Sequence, residues 1–370
     1  MKKIIVAIIS ITLVIVVSFL LISMGNTILK RSTVDQNTVE MTTLSDDFEN
    51  IDIRISACNS NTHPQSLGLF AMKEYIEKES GGKIQVHVFC NGQLGDEELS
   101  LAQVQAGTLE MCTASIAPIT TFQKKFEVLD IPFLFNNYEE AWMVLDSKAG
   151  QELFDSLESV NLKGLAWMEN GFRHISTKNV PVNKMADLKG LKIRTMNAPM
   201  HILNFTSLGC NPTPINFSEL YMAMSQNIVE GQENPLANVW DLNMFEVQKY
   251  VSLTGHIYDS MPLICNNNWW NQLPKEYQTI IQQGSMIGQN YSRFCNFNRE
   301  SVLEEKLTEK GMTIIDISDE ARQEMKDATQ EVVANAVRKE VGNDFVTEFL
   351  DCIDGVRKEV VKGLTKGGVK

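Results

Sequence analysis

One uninterrupted apolar run at the N-terminus constrains this 370-residue chain more than any other feature. Lys2 and Lys3 precede a run from Ile4 to Met24 that carries no charged residue. A helix of this length, rising about 1.5 Å per residue, can cross the ~30 Å hydrocarbon core of a bilayer. The same pattern is typical of a secretory signal, and Ser23-Met24-Gly25 offers small residues for cleavage after Gly25. Residues 1–25 are therefore a signal peptide or a membrane anchor, and both interpretations predict that the rest of the chain is exported.

The composition of the chain excludes several classes of protein. Its 33 basic and 46 acidic residues give a net charge of −13, which repels a nucleic-acid backbone. The longest basic run is two residues, so we predict no nucleic-acid partner. Only the N-terminal run is apolar enough to span a bilayer, which excludes a polytopic transporter. The 44% hydrophobic and 21% charged content is typical of a globular protein, and the length suggests about two domains.

The cysteines and histidines form no recognisable metal or disulfide pattern. There is no CxxC or HExxH spacing among them, and an odd number of cysteines leaves at least one unpaired. We predict that the cysteines are mostly small buried apolar side chains, and that the protein binds no metal and no cofactor. The cysteines are Cys58, Cys90, Cys112, Cys210, Cys265, Cys295 and Cys352.

The pattern after the apolar run predicts an α/β protein. Residues 26–50 are rich in Thr, Ser, Asn and Asp, and we interpret them as a linker. Ile51–Ile55 and Ile84–Val88 alternate apolar with other residues, as strands do, and a helical pattern lies between them from Pro64 to Gly81. A strand, a helix and a strand at this spacing predict a βαβ unit and a mostly parallel sheet. The apolar residues Leu67, Phe70, Ala71 and Tyr75 fall on one face of the predicted helix.

Enzyme signatures are absent from the sequence. We find no GxSxG, no GxxxxGK[ST], and no GxGxxG after a strand. Acidic pairs such as Glu97-Glu98, or Glu230 with Glu233, occur by chance among 46 acidic residues, and we interpret them as solvated faces. We therefore predict that the protein is not an enzyme.

Two arginines are candidates for binding an anion. Arg173 follows an apolar run, and Arg194 ends the short strand-like run Gly190–Arg194. A guanidinium at the end of a buried strand is costly unless an anion meets it, and its planar fork matches a carboxylate. An internal salt bridge explains the pattern equally well. The stretch Glu230–Pro235 is predicted to be a polar turn before a helix that starts near Leu236, where amides would orient a ligand or cap the helix.

Seven stretches in order resemble the solute receptors of tripartite ATP-independent periplasmic (TRAP) transporters, the DctP-type substrate-binding proteins. Their order and spacing hold from about residue 51 to about residue 340. The stretches are Asn91–Asp96, Asn170–Arg173, Met185–Arg194, Pro212–Pro214, Phe217–Tyr221, Gly231–Pro235 and Glu246–Tyr250.

The resemblance implies a ligand-binding site. Arg194 matches the arginine that clamps the substrate carboxylate, and Arg173 matches a supporting arginine. Asn234 matches an amide that hydrogen-bonds the ligand, Phe217 an aromatic that packs against it, and Asn59 and Ser115 match positions that often line the cleft.

The resemblance also implies a two-lobed, periplasmic-binding-protein-like fold with a ligand cleft between the lobes. We expect lobe I to comprise 51–170 and 260–298, lobe II to comprise 171–259 and 299–345, and 346–370 to form a solvated C-terminal tail.

The implied function is an extracytoplasmic receptor, in the periplasm or on the outer face of the membrane, which binds an organic acid and delivers it to a TRAP permease. Among possible ligands we favour sugar acids such as uronates, and we place four-carbon dicarboxylates second. We expect a monomer. A membrane-tethered receptor for a signalling partner and an exported lyase or hydrolase are the alternatives. Neighbouring genes for permease subunits would favour transport, and turnover of the acid would favour the enzyme.

Overall fold

The computed structural model describes residues 49–366, with side chains to residue 360. The predicted signal or anchor, 1–25, and nearly all of the predicted linker, 26–50, lie outside the described residues. Residues 46–370 form a compact unit by themselves, and its hydrophobic clusters lie within the described part. Among the described helices, none is both long enough and apolar enough to cross a membrane.

Nine strands of the described residues join in one sheet. They are β1 (Ile51–Ser56), β2 (Ile84–Phe89), β3 (Met111–Thr113), β4 (Leu162–Thr177), β5 (Lys192–Thr195), β6 (Asn211–Pro214), β7 (Gly231–Asn234), β8 (Tyr250–Asn266) and β9 (Thr313–Ile315). The strand order is β2-β1-β3-β8-β4-β7-β5-β6, and β9 pairs with β8 outside this path.

Helices cover the sheet. They are α1 (Pro64–Glu79), α2 (Glu97–Ala106), α3 (Ile116–Ile119), α4 (Tyr138–Leu145), α5 (Lys148–Ser156), α6 (Pro199–Ser207), α7 (Leu220–Ser225), α8 (Leu236–Asp241), α9 (Asn267–Gln272), α10 (Lys275–Glu309), α11 (Asp319–Val341) and α12 (Asn343–Lys366). Short 3₁₀ segments lie at Lys124–Asp130, Leu157–Val160, Met185–Leu188, Phe217–Glu219 and Met244–Glu246.

The predicted βαβ unit is confirmed. β1 and β2 are parallel, in a register that sets Ile51 opposite Ile84, and α1 connects them. The prediction of a mostly parallel sheet is wrong at its centre, because β8 runs antiparallel to both β3 and β4. Local periodicity cannot reveal this, since the direction of β8 depends on how the chain returns after residue 249.

β4 and β8 form a long two-stranded ribbon through the middle of the sheet. They pair from Leu162 opposite Asn266 to Thr177 opposite Tyr250. The shorter strands β3, β1 and β2 lie on one side of this ribbon, and β7, β5 and β6 lie on the other. The register shifts between Glu169 and Gly171, and the expected lobe boundaries after residues 170 and 259 fall at this irregularity. The chain has the two-lobed α/β fold.

The helix α1 packs against α10 through glycines. Its fully buried residues include Gly68, Leu69 and Met72, whereas the expected face with Leu67 and Phe70 is only partly buried. A Cβ at Gly68 would lie 2.5 Å from the carbonyl oxygen of Gly288 on α10, so the two backbones are in close contact. The buried face of α1 therefore combines the close approach at Gly68 with the apolar side chains of Leu69, Met72 and Ile76.

The C-terminal segment differs from the expected solvated tail. Residues 343–366 form α12, and Val346, Phe349 and Ile353 of this helix are buried in the largest hydrophobic cluster. Arg357 pairs with the buried Glu140 at 2.8 Å. The expected tail is wrong because Val346, Phe349, Ile353 and Val356 recur at spacings of three and four positions and form the buried face of a helix.

Candidate ligand-binding site

Arg194 presents a buried cation at the end of β5. Its side chain is 2% exposed, and its Nε donates to the carbonyl oxygen of Ile215 at 2.7 Å. The Nη1 atom is buried and has no hydrogen-bond partner among the described residues. Burial lowers the pKa of Arg194 to about 10, against the attraction of Glu233. A buried guanidinium with an unused donor is an incomplete anion site, because leaving it unpaired costs free energy.

Two walls of a cleft meet in front of Arg194. Asn216 donates to Asp96 at 2.8 Å and Asn197 donates to Glu98 at 3.3 Å, so the segment that starts α2 contacts the segments that follow β5 and β6. These walls and Arg194 enclose a narrow cavity of about 20 Å³, which residues 96–98, 118, 194, 196, 197 and 215–217 line. Because Arg194 is 2% exposed, the guanidinium is shielded from water at this cavity.

Glu97 lies in the same cavity, so the interpretation of Glu97-Glu98 as a chance pair on a solvated face is wrong. Its Oε1 accepts hydrogen bonds from the Ser115 backbone N–H at 2.9 Å and from the Ser115 hydroxyl at 3.2 Å. Burial, together with the charge of Asp259, raises the pKa of Glu97 to about 7, although the Ser115 hydrogen bonds oppose this. Its place next to the matching stretch Asn91–Asp96 was the signal that would have found it.

Arg173 is held by carboxylates of the protein itself. Its Nε lies 2.5 Å from Oε2 of Glu233, its Nη2 donates to the other oxygen of that carboxylate at 2.8 Å, and its Nη1 donates to Asp259 at 2.8 Å. Burial favours neutral Glu233, but the charge of Arg173 and the hydrogen bond from His256 hold the pKa of that carboxyl well below its usual range. The guanidinium therefore makes the internal salt bridge that the sequence left open, and a ligand role for Arg173 stays a prediction.

Asn234 is buried next to this pair at the end of β7. Its Oδ1 accepts from Arg173 at 3.3 Å and from Asn238 at 3.0 Å, and its Nδ2 donates to Gln232 at 2.5 Å. The segment predicted to be a polar turn is instead the buried strand β7, and α8 begins at Leu236 as expected. Polar residues suggested a turn, but here their side chains satisfy one another inside the sheet.

Phe217 connects the cleft to a second cavity of about 430 Å³. Asn59 also lines this cavity, and its Nδ2 contacts the Nδ1 of His63 at 3.2 Å and the sulfur of Met261 at 3.0 Å. Hydroxyl and amide groups of Asn59, Ser60 and Ser218 line this cavity, together with the carboxylates Asp96 and Asp241. The two cavities thus place the Arg194 cation next to a region that contains hydroxyl, amide and carboxylate groups.

The structure thus brings the predicted residues into one region in two layers. Arg194, Phe217 and Asn59 line the cavities, and Ser115 contacts them through Glu97. Arg173 and Asn234 are buried in the sheet beside them. No group of three metal-binding side chains suitable for an ion occurs in the part of the chain that the structure describes. All seven cysteines are free thiols.

A cleft of this geometry, between the halves of a two-lobed α/β fold, is typical of solute-binding proteins. The model of the family DctP, bacterial extracellular solute-binding protein family 7, matches residues 55–340. The chain belongs to this family, the solute receptors of TRAP transporters.

Similar proteins have names that state their ligands. The 2,3-diketo-L-gulonate-binding periplasmic protein YiaO of Escherichia coli is 31% identical over 305 residues, which are 82% of this chain and 92% of that protein. The C4-dicarboxylate-binding periplasmic protein DctP of Rhodobacter capsulatus is 31% identical over 66% of this chain and 73% of its own. The sugar acid binding protein DctPAm of Advenella mimigardefordensis, solved with galactonate, has a TM-score of 0.81 and 30% identity over 84% of this chain and 100% of its own.

Proposed function

We propose that this chain is an extracytoplasmic receptor that binds a sugar acid by its carboxylate and delivers it to a TRAP membrane permease. The observation that carries the proposal is the buried Nη1 of Arg194, which has no partner among the described residues and lines the cleft. A ligand carboxylate would complete the coordination of this guanidinium with two parallel hydrogen bonds. Proteins as similar as YiaO and DctPAm are named for sugar acids.

The groups opposite Arg194 favour a sugar acid over a dicarboxylate. Ionised Glu97 repels a second carboxylate, but it accepts hydrogen bonds from hydroxyl groups. The adjoining cavity contains Asn59, Ser60 and Ser218, which suit a hydroxylated chain. Arg173 and Asn234 would support this arrangement from the second layer, and Phe217 would pack against the carbon skeleton.

A thermal-shift screen of residues 46–370 against organic acids tests the proposal. A ligand at about 100 times its Kd adds about 2.7 kcal/mol to the folded state, which raises Tm by roughly 5–10 °C in a chain of this size. Replacing Arg194 with Ala removes one partner of a buried charged contact and costs about 2–5 kcal/mol, so we expect affinity to fall at least about thirtyfold.

The matched control is Arg338→Ala, because within the described part of the chain the side chain of Arg338 pairs only with Glu331 and Asn335 of its own helix. We expect this variant to bind as the parent does. An Arg194→Ala protein that binds its acid within about threefold of the parent would contradict the assignment. Conversion of the acid during incubation, seen by NMR, would favour an exported lyase or hydrolase over a receptor.

The expected lobes, 51–170 with 260–298 and 171–259 with 299–345, would close on the acid by bending at the β4–β8 ribbon. The run 4–24 would export the protein. The N-terminal sequence of the mature protein distinguishes cleavage after Gly25 from a retained anchor, and retention without a permease partner would favour the signalling receptor.

A further inference from the structure

The second cavity of the cleft is larger than an acid of six carbons needs. It has a volume of about 430 Å³, and Asp96 and Phe217 line both this cavity and the narrow one at Arg194. The narrow cavity, at about 20 Å³, has room for only one end group of a ligand. At the packing density of protein interiors each non-hydrogen atom takes roughly 17 Å³, so an acid of six carbons fills about 220 Å³. Such an acid would leave about half of the second cavity unfilled.

Two carboxylates held by the protein line the second cavity. The side chain of Asp241 is 6% exposed, and it accepts hydrogen bonds from Ser60 at 2.7 Å and from Arg299 at 3.3 Å. Asp96 accepts a hydrogen bond from Asn216 at 2.8 Å. A carboxylate has about four lone-pair positions, so both groups can still accept hydrogen bonds from hydroxyl groups of a ligand. Because their positions are already fixed, a ligand would lose little affinity in ordering them.

Two aromatic rings, Phe217 and Tyr221, line the same cavity. They lie four positions apart, where the 3₁₀ segment Phe217–Glu219 leads into α7, and both are partly exposed. The hydroxyl of Tyr221 donates to Glu246 at 2.6 Å, which holds the ring in place. Aromatic rings pack against apolar C–H surfaces, and a pyranose has such a surface on its face and hydroxyl groups at its edge. Aromatic rings next to carboxylates therefore suit a sugar ring.

We propose that the ligand is an acid of two sugar units, whose carboxylate binds Arg194 and whose second ring occupies the second cavity. This inference rests on the proposed function, because it starts from the carboxylate at Arg194. Such an acid has about 24 non-hydrogen atoms and fills about 400 Å³, close to the combined volume of the two cavities. Asp96 and Asp241 would repel a second carboxylate, so the second ring is a neutral sugar.

Calorimetric titration of residues 46–370 with pairs of acids that differ by one neutral ring tests the proposal. The pairs are gluconate with lactobionate, and glucuronate with glucuronosyl-xylose. We expect the two-ring acid of at least one pair to bind at least about tenfold more tightly than its one-ring partner, because it adds hydrogen bonds to carboxylates and packing against aromatic rings. Lactose, which has two rings and no carboxylate, should not bind measurably.

Replacing Tyr221 with Ala should lower the preference for the two-ring acid at least about fivefold, because one of the two aromatic rings is lost. Tyr291→Ala is the matched control, since Tyr291 is 46% exposed on α10, outside the cleft. This control should leave both affinities unchanged. Circular dichroism melting establishes that both variants are folded.

The outcomes separate this proposal from the proposed function. A one-ring acid that binds, together with two-ring acids that bind no more tightly, overturns the second ring and leaves the receptor function standing. A preference that Tyr221→Ala does not change also overturns it, because the second ring would then lie elsewhere. If none of the acids binds, the proposed function fails and this proposal fails with it.

Discussion

Arg173 and Arg194 lie on strands separated by β7, yet their surroundings shift their pKa values in opposite directions. The carboxylates of Glu233 and Asp259 raise the pKa of Arg173 although burial opposes this, whereas burial lowers the pKa of Arg194 to about 10. The guanidinium of Arg173 is hydrogen-bonded to carboxylates of the protein, whereas Nη1 of Arg194 has no partner among the described residues. Under the proposed function, stability and binding would be divided between two residues of the same type.

Replacing Arg173 with Ala should destabilise the fold more than it weakens binding directly. The variant leaves the buried carboxylates of Glu233 and Asp259 without their cation, which costs about 3–5 kcal/mol of the free energy of unfolding. Urea unfolding measures this loss, and Arg194→Ala is the control, because removing an incompletely paired cation should cost far less. Equal unfolding free energies for the parent and Arg173→Ala would refute the structural role.

Glu97 should make the affinity for dicarboxylates depend on pH. Its pKa is raised to about 7, so the carboxyl is largely neutral near pH 6 and largely ionised near pH 8. The affinity for succinate should therefore fall about tenfold as pH rises through this range, while the affinity for galactonate should not fall. Calorimetric titration between about pH 6 and about pH 8 measures both.

The control for this prediction is Glu97→Gln, which keeps the shape of the side chain and cannot ionise. This variant should bind succinate equally well across the range. A parent protein whose succinate affinity does not change with pH would show that Glu97 does not face the second carboxylate.

At the scale of elements, the contact between α1 and α10 depends on glycine. A Cβ at Gly68 would lie 2.5 Å from the carbonyl oxygen of Gly288 and 2.9 Å from Cβ of Ser292, so the helices must separate. We expect Gly68→Ala to lower the free energy of unfolding by about 1–3 kcal/mol, although alanine favours helices.

Gly355→Ala on α12 is the matched control, because a Cβ there meets nothing within 4 Å. This substitution should stabilise the protein by about 0.4–1 kcal/mol, since it restricts the unfolded chain. Thermal or urea unfolding compares the two. A Gly68→Ala protein as stable as Gly355→Ala would contradict the close packing of the helices.

The elements that the sequence predicted correctly are those whose signal is local. Alternating residues identified β1 and β2, and Pro64 identified the start of α1. The sequence could not show which face of α1 is buried, because that depends on glycines of a helix more than 200 positions away. The same holds for the candidate site: a motif drew attention to Arg194, whereas Glu97 enters the same cavity only where α2 meets the other wall.

At the scale of the whole molecule, the net charge is negative, whereas the candidate site contains a buried cation. A surface with a net charge of −13 repels organic anions at long range, so under the proposed function binding would depend on the short-range contact with Arg194. An acid that enters the cleft would meet a cation that is shielded from water and neighbouring carboxylates that repel a second charge. The selectivity we propose would follow from this contrast.

The β4–β8 ribbon has a mechanical consequence for closing. Two paired strands bend across their flat face far more easily than they shear or slide, because sliding would break a ladder of hydrogen bonds at once. The ribbon would therefore restrict the direction of the proposed closure, together with the continuous helix α10, which crosses the expected lobe boundary after residue 298. Asn216 would therefore return to Asp96, and Asn197 to Glu98, in the same alignment each time the cleft closes.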